Sequence, residues 1–303
     1  MSKKKDSLSL SKVEAKWGLI LALPAILGFI LWTAGPMIAS LVLSFTSWDA
    51  VTSPKFIGLS NYRKLLIEDP LFKKSLGVTL YYSVGSVPLV LAIAFIVALL
   101  LNQKVRGLAF FRTAFYLPSI VPAVASAMIW IWLFNPDFGL LNQFLGIFNL
   151  PKLQWIYSET QVIPSLILMS IWGMGGSMII FLAGLQGVPE QLYEAVEVDG
   201  GNWWHKFRYI TIPMMTPIIF FNLIMGIIGT LQTFNQAYVM TSGGPNYASL
   251  FYVYYLYLNA FNYGAMGYSC ALAWILFLIV LGLTLIVLRS SSYWVYYEMG
   301  KGR

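Results

Sequence analysis

SLGVTLYYSVGSVPLVLAIAFIVALLLNQ, residues 75–103, runs for 29 residues without an Asp, Glu, Lys or Arg. A helix needs about 20 such residues to cross the hydrocarbon of a bilayer, where every backbone N–H and C=O must find its partner inside the segment. Four further charge-free runs cover residues 17–48, 113–136, 160–189 and 209–288. The last is long enough for two helices, and Ser242-Gly243-Gly244-Pro245-Asn246 supplies a break between them. Six spans are predicted, at about 16–45, 79–101, 114–134, 161–186, 215–241 and 266–288. Composition agrees: charged residues are 10 % of the chain and hydrophobic residues 58 %, against about a quarter charged in a soluble domain. The expectation is an all-α integral membrane protein, multi-pass, with residues 1–303 forming one domain.

Lys3-Lys4-Lys5 precedes the first run, as in a signal peptide. The apolar run is longer than such a peptide carries and has no small-residue cleavage site, so it reads as a retained helix. With the N-terminus in the cytoplasm, thirteen Lys and Arg fall inside, at 3, 4, 5, 12, 16, 104, 106, 112, 206, 208, 289, 301 and 303. Six fall outside, at 55, 63, 64, 73, 74 and 152. That asymmetry favours both termini inside, and the basic balance reports topology rather than a nucleic-acid partner. One cysteine, Cys270, and one histidine, His205, leave little material for a metal site or a thiol enzyme.

Between the first two spans, Ser60 is read as capping a short surface helix and Asp69-Pro70 as opening a second one. Six tyrosines from Tyr247 to Tyr263 read as an interfacial belt, or as rings facing a sugar. Within 160–288 every charge falls between Glu190 and Arg208. There Pro189 can open a helix with Glu190, Glu194 and Glu197 on one face. Gly200-Gly201 interrupts it, and Trp203, Phe207 and Ile210 form an apolar stripe on a second helix that Pro213 is expected to stop. Such a helix–elbow–helix unit either lies on a membrane or docks into a partner protein. Its acidic first half favours docking.

Glu194-Ala195, Asp199-Gly200 and Ile210-x-Ile212-Pro213 resemble the EAA loop of ABC importer permeases, with Val196 and Ile212 as departures that keep apolar character. The resemblance extends through FIGLSNYRKLL (56–66), FFRTAFYLPSIVP (110–122), WLFNPDFGLLN (132–142), IFLAGLQGVPEQLYEA (180–195) and FNQAYVMTSGGP (234–245), and points to the maltose and glycerol-phosphate branch of sugar importers. It implies a type I importer permease fold with six transmembrane helices in a bacterial or archaeal cytoplasmic membrane, and a coupling loop over 187–213. Glu194, Ala195, Asp199, Gly200, Trp203 and Phe207 would meet a cleft of the ATPase. It implies as partners a second homologous permease in a heterodimer, an ATP-binding cassette ATPase dimer that binds the ATP and magnesium, and an extracytoplasmic sugar-binding protein. No cofactor is expected in this chain.

The residues themselves support that division of labour. No G-x-x-x-x-G-K-S/T phosphate loop occurs, and no ionisable side chain falls within a predicted span, where ion-coupled carriers usually place one. A neutral polar solute such as a carbohydrate would then meet neutral groups. The densest polar patch of any span holds Asn222, Thr230, Gln232, Thr233, Phe234, Asn235 and Gln236, and the fourth span offers Trp172, Gly176 and Ser177. Neutral polar groups also join helices, and glycines permit close packing, so both patches have a structural reading too. By the resemblance, Gly176, Ser177 and 232–236 line a midplane sugar site. A stand-alone secondary carrier is the alternative. A membrane-embedded enzyme is a third, but no catalytic constellation is evident. The tail SSSYWVYYEMGKGR, residues 290–303, suggests anchoring at the membrane surface.

Overall fold

The computed structural model describes residues 3–103 and 106–296, with side chains from Lys12 onward. Lys104, Lys301 and Arg303 of the orientation argument, and the tail beyond 296, lie outside the described residues. In chain order the helices are α1 (Lys3–Phe29), α2 (Gly35–Leu43), α3 (Ser60–Arg63), α4 (Pro70–Leu101), α5 (Leu108–Ile120), α6 (Ala123–Leu133), α7 (Leu140–Ile147), α8 (Val162–Trp172), α9 (Gly175–Gln186), α10 (Glu190–Val198), α11 (Trp203–Lys206), α12 (Ile212–Leu231), α13 (Tyr252–Tyr257) and α14 (Met266–Trp294). A ribbon of two short strands, β1 (Thr46–Ser47) and β2 (Lys55–Phe56), follows α2.

Among the described residues four helical runs are long and apolar enough to cross a membrane: Lys12–Leu43, Pro70–Leu101, Trp203–Thr241 and Met266–Trp294. Two bent pairs raise the number to as many as six if each is one span, α5 with α6 at 99° and α8 with α9 at 47°. The third predicted span is therefore not one straight helix. Pro122 excludes Val121 from the helical region, and Val121 sits at φ −64°, ψ 130°, extended backbone that turns the chain. The fourth bends at Gly173 and Met174, in the glycine-rich stretch.

The second spanning helix starts nine residues before its predicted beginning. Asp69 takes the cap position and its Oδ1 accepts from Leu71 N at 2.9 Å and Phe72 N at 3.1 Å, with Pro70 next. Once the first turn is nucleated nothing interrupts the run, so the second surface helix expected here is the start of α4 itself. Ser60 makes no cap; Leu59 holds that position without a side-chain bond.

Pro213 does not stop the helix either. The turn before it, Phe207–Thr211, is a π turn in which Ile212 N–H bonds Phe207 O, five residues back. This wider spacing carries the helix past a residue that has no N–H to give. Pro217 leaves the Pro213 carbonyl without its usual donor, and Thr216 Oγ1 supplies one at 2.6 Å. Thr216 Oγ1 also accepts from Tyr296 N at 2.8 Å, while Trp294 packs edge-on against Phe220. The start of the aromatic tail is thus held on α12.

The chain divides into two compact units, Met1–Glu68 with Asn259–Ile275, and Asp69–Leu258 with Leu276–Arg303. In the first, buried Asn61 donates to Ser44 O (2.8 Å) and Thr46 O (2.9 Å), and Trp274 Nε1 donates to Ser40 Oγ at 3.1 Å. Gly267 lies against the Thr46 carbonyl, so close that any Cβ would collide with it, and its N–H bonds Trp48 O at 3.0 Å. Gly267→Ala is expected to destabilise the chain by about 1–3 kcal/mol, because backbone rather than a flexible side chain must move. A melting curve in detergent that matches wild type would disprove this contact.

The second unit is built around α4, which packs against α8, α9, α12 and α13. Its core joins Ala94, Ala98 and Leu101 of α4 to Met178, Phe181 and Leu185 of α9 and Met215 of α12. The tyrosines of α13 are not an exposed belt. Tyr252, Tyr254 and Tyr255 are buried, Tyr255 Oη donates to Asp69 Oδ2 at 2.6 Å, and Tyr252 N donates to Thr79 Oγ1 at 2.9 Å. Tyr247 and Tyr263 remain exposed.

Candidate functional site

Two regions carry the predicted residues. The first is the elbow between α10 and α11. Pro189 is extended and opens α10; after Asp199 the chain turns through Gly200 at φ 75°, a left-handed conformation that favours glycine. Gly201 N then donates to Val196 O at 2.8 Å. Asn202 caps α11 by accepting from His205 N at 3.1 Å, and His205 Nδ1 accepts in return from Asn202 N at 3.2 Å. The lone histidine is therefore part of a capping box. A Lys206–Glu197 ion pair closes the elbow, and Tyr193 Oη bonds Thr211 Oγ1 at 3.1 Å, tying α10 to the root of α12.

Glu194, Ala195, Asp199 and Gly200 are all exposed on this turn. Trp203 is 68 % exposed, and the predicted stripe divides: Phe207 and Ile210 are partly buried while Trp203 stands out. Phe207 stacks on Trp203 at 5.4 Å and reaches Phe95 of α4 at 6.4 Å, so it buttresses the exposed ring. Trp203 and Phe207 share one face, as the i, i+4 spacing predicts and their stacked rings show, and Phe207 is the one that also reaches α4. Val198 and Trp204 are also exposed and escaped sequence reasoning. Adjacent tryptophans in a charged loop were the available signal.

The second region surrounds the breaks in the third and fourth spans. A cavity of about 290 Å³ is lined by Trp172 and Gln236 together with Tyr82, Ser119, Ser126 and Ser170. A smaller one of about 180 Å³ is lined by Ser177, Ser86, Ser170 and Thr230. The hydroxyls of Ser86, Ser170 and Thr230 donate to carbonyls of their own helices, Tyr82 O, Ile167 O and Gly226 O, at 2.6–2.8 Å. Their remaining lone pairs can accept from hydroxyl donors of a bound solute. A third, apolar cavity of about 430 Å³ shares Pro118 and Trp172 with the first. Trp172 thus has polar space on one side and apolar space on the other.

Trp172, Ser177, Thr230 and Gln236 line these cavities; the other candidate pathway residues do not. Gly176 is exposed, with no atom within 4 Å of where a Cβ would stand, and Gln232 and Asn235 are also exposed. Phe234 stacks with Tyr238 at 5.3 Å and meets Tyr257 at 5.3 Å and Tyr254 at 6.2 Å. Asn222 is buried, and its amide bonds Ile218 O within its own helix. Tyr82, Ser119, Ser126 and Ser170 were missed because their helices are recognisable in sequence but the faces that converge are not.

The family model described as binding-protein-dependent transport system inner membrane component matches residues 87–295. The chain is 46 % identical over 279 residues to the probable ABC transporter permease protein YesP of Bacillus subtilis, covering 91 % of this chain and 90 % of that one. It is 30 % identical over 283 residues to the trehalose/maltose transport system permease protein MalF of Thermococcus litoralis, covering 92 % and 95 %. The arabinooligosaccharides transport system permease protein AraP of Bacillus subtilis is 31 % identical over 273 residues, covering 89 % and 86 %. The fold resembles a chain of a bacterial alginate ABC transporter solved with its alginate pentasaccharide-bound periplasmic protein, with a TM-score of 0.81 over 93 % of this chain and 96 % of that one, at 21 % identity.

Proposed function

The chain belongs to the binding-protein-dependent transport system inner membrane components, and from this we propose that it forms half of the translocation pathway of an ATP-driven importer for a carbohydrate, an oligosaccharide above all. Its partners are a second, homologous permease, two ATPase chains that bind ATP and magnesium, and an external binding protein that delivers the sugar. Both termini lie in the cytoplasm, so the elbow with Glu194, Ala195, Asp199, Gly200 and Trp203 faces the ATPase and Phe207 supports it. Trp172, Ser177 and Gln236 contact the passing solute, and Gly176, Gln232, Phe234 and Asn235 complete the pathway against the second permease.

One observation carries this reading. The helical run Trp203–Thr241 begins at the elbow and, past a break at residues 232–234, resumes beside the polar cavity, where Gln236 lies. A displacement of the elbow by a closing ATPase is carried along that run to the solute, and alternating access needs only that nucleotide and binding protein prefer different positions of it. The test is uptake of labelled oligosaccharide by proteoliposomes holding the whole complex. Uptake should require internal ATP and external loaded binding protein and should survive collapse of ion gradients. Uptake by this chain without an ATPase, driven by an ion gradient, would instead establish the secondary carrier.

A further inference from the structure

Helix α7 turns Asn142 inward and its apolar side outward, with exposed Gln143 at the margin donating to Phe138 O at 3.0 Å. Asn142 is buried, and its amide makes four hydrogen bonds: Nδ2 donates to Pro136 O and Leu153 O, both at 2.9 Å, while Oδ1 accepts from Leu153 N (3.1 Å) and Trp155 Nε1 (2.9 Å). Two donors and two acceptor sites are all an asparagine amide has, so nothing is left for solvent. On the opposite side Leu140, Phe144, Ile147 and Phe148 recur at i, i+4, i+7 and i+8 and are 46–74 % exposed. Phe138 and Leu150 extend the patch at either end. An exposed apolar face of this kind marks a contact with something other than water.

We propose that α7 lies in the membrane interface at the end of α6, with Phe144, Ile147 and Phe148 embedded among the lipids. No ionisable side chain occurs between Asp137 and Lys152, so the face carries no charge to desolvate. It follows directly on α6, whose own exposed side chains include Val124, Met128, Ile129 and Trp132, a surface that a bilayer covers. At eight residues α7 cannot span, and its rings suit the interfacial layer, where aromatic side chains concentrate. A protein partner fits less well. The three phenylalanine rings, each more than half exposed, offer roughly 300–400 Å², and the whole face stays short of the ~800 Å² per side of a stable protein interface. The usual interfacial helix turns a basic face to water; here that face is replaced by Asn142 and its four bonds to the protein.

The single cysteine makes the test direct. In a Cys270→Ser background, Phe144→Cys and, separately, Ile147→Cys are labelled with an environment-sensitive fluorophore and the full complex is reconstituted in liposomes. The expected result at both positions is a blue-shifted emission, quenched for the most part by lipids carrying a nitroxide near the headgroup and scarcely by iodide. Strong quenching by iodide at both positions would show a water-facing helix and overturn the proposal. Protection from lipid nitroxide that appears only when the second permease is present would overturn it too, in favour of a protein contact. Neither outcome touches the importer reading, which rests on the elbow.

Discussion

Gly200→Asp is expected to abolish stimulation of the partner ATPase by loaded binding protein while the chain itself still folds. Gly200 has φ 75° and nothing within 4 Å of where a Cβ would stand. A non-glycine residue in that conformation costs about 1–2 kcal/mol, and Asp is among those that tolerate it best. The new carboxylate would project from the exposed surface of the elbow, next to Asp199. If that surface is buried in an ATPase cleft, an uncompensated charge there costs about 3–5 kcal/mol, which weakens association roughly a hundredfold or more. The free chain has no such cleft to spoil. Gly201→Ala is the contrast, since its Cβ would meet the Val196 side chain and stand 2.8 Å from Val196 O, so the elbow itself must deform. Stimulated ATPase rate, co-purification of the complex and the melting curve of the permease separate the two. Full stimulation of the Gly200→Asp complex would place the dock elsewhere and reopen the secondary carrier.

A pair of neighbouring glycines gives the second large effect. A Cβ on Gly175 would stand 2.8 Å from Phe115 O and 2.9 Å from Tyr116 Cα, both backbone atoms of α5. Gly175→Ala must therefore push α9 away from α5, an overpacking of about 1–3 kcal/mol. The shift also displaces Phe115, which lines the apolar cavity with Trp172. Lower thermal stability and loss of most transport are expected together. Gly176→Ala meets no atom and should change stability by under about 0.5 kcal/mol. Gly176→Leu then tests the pathway role: transport lost from a stably assembled complex supports contact with the solute, whereas normal transport removes Gly176 from the pathway. Wild-type stability in Gly175→Ala would refute the packing argument.

The membrane character of this chain was legible because a bilayer leaves the backbone no alternative: charge-free runs of sufficient length must become helices that satisfy their own hydrogen bonds. The elbow was legible for a related reason, since six charges and paired glycines in an otherwise apolar half have no place inside lipid. The outcome of each proline was not. Pro122 turns the third span through 99°, and the helix runs on past Pro213 in the fifth, although the residue is the same. What differs is whether the preceding turn can widen to absorb the missing donor, as Phe207–Thr211 does, and that depends on what packs around it. Burial of the α13 tyrosines likewise rests on Asp69 and Thr79, far off in sequence. Periodicity along one helix identifies a face; only the packing of several helices decides which faces meet, and so which hydroxyls share a cavity with Trp172 and Gln236.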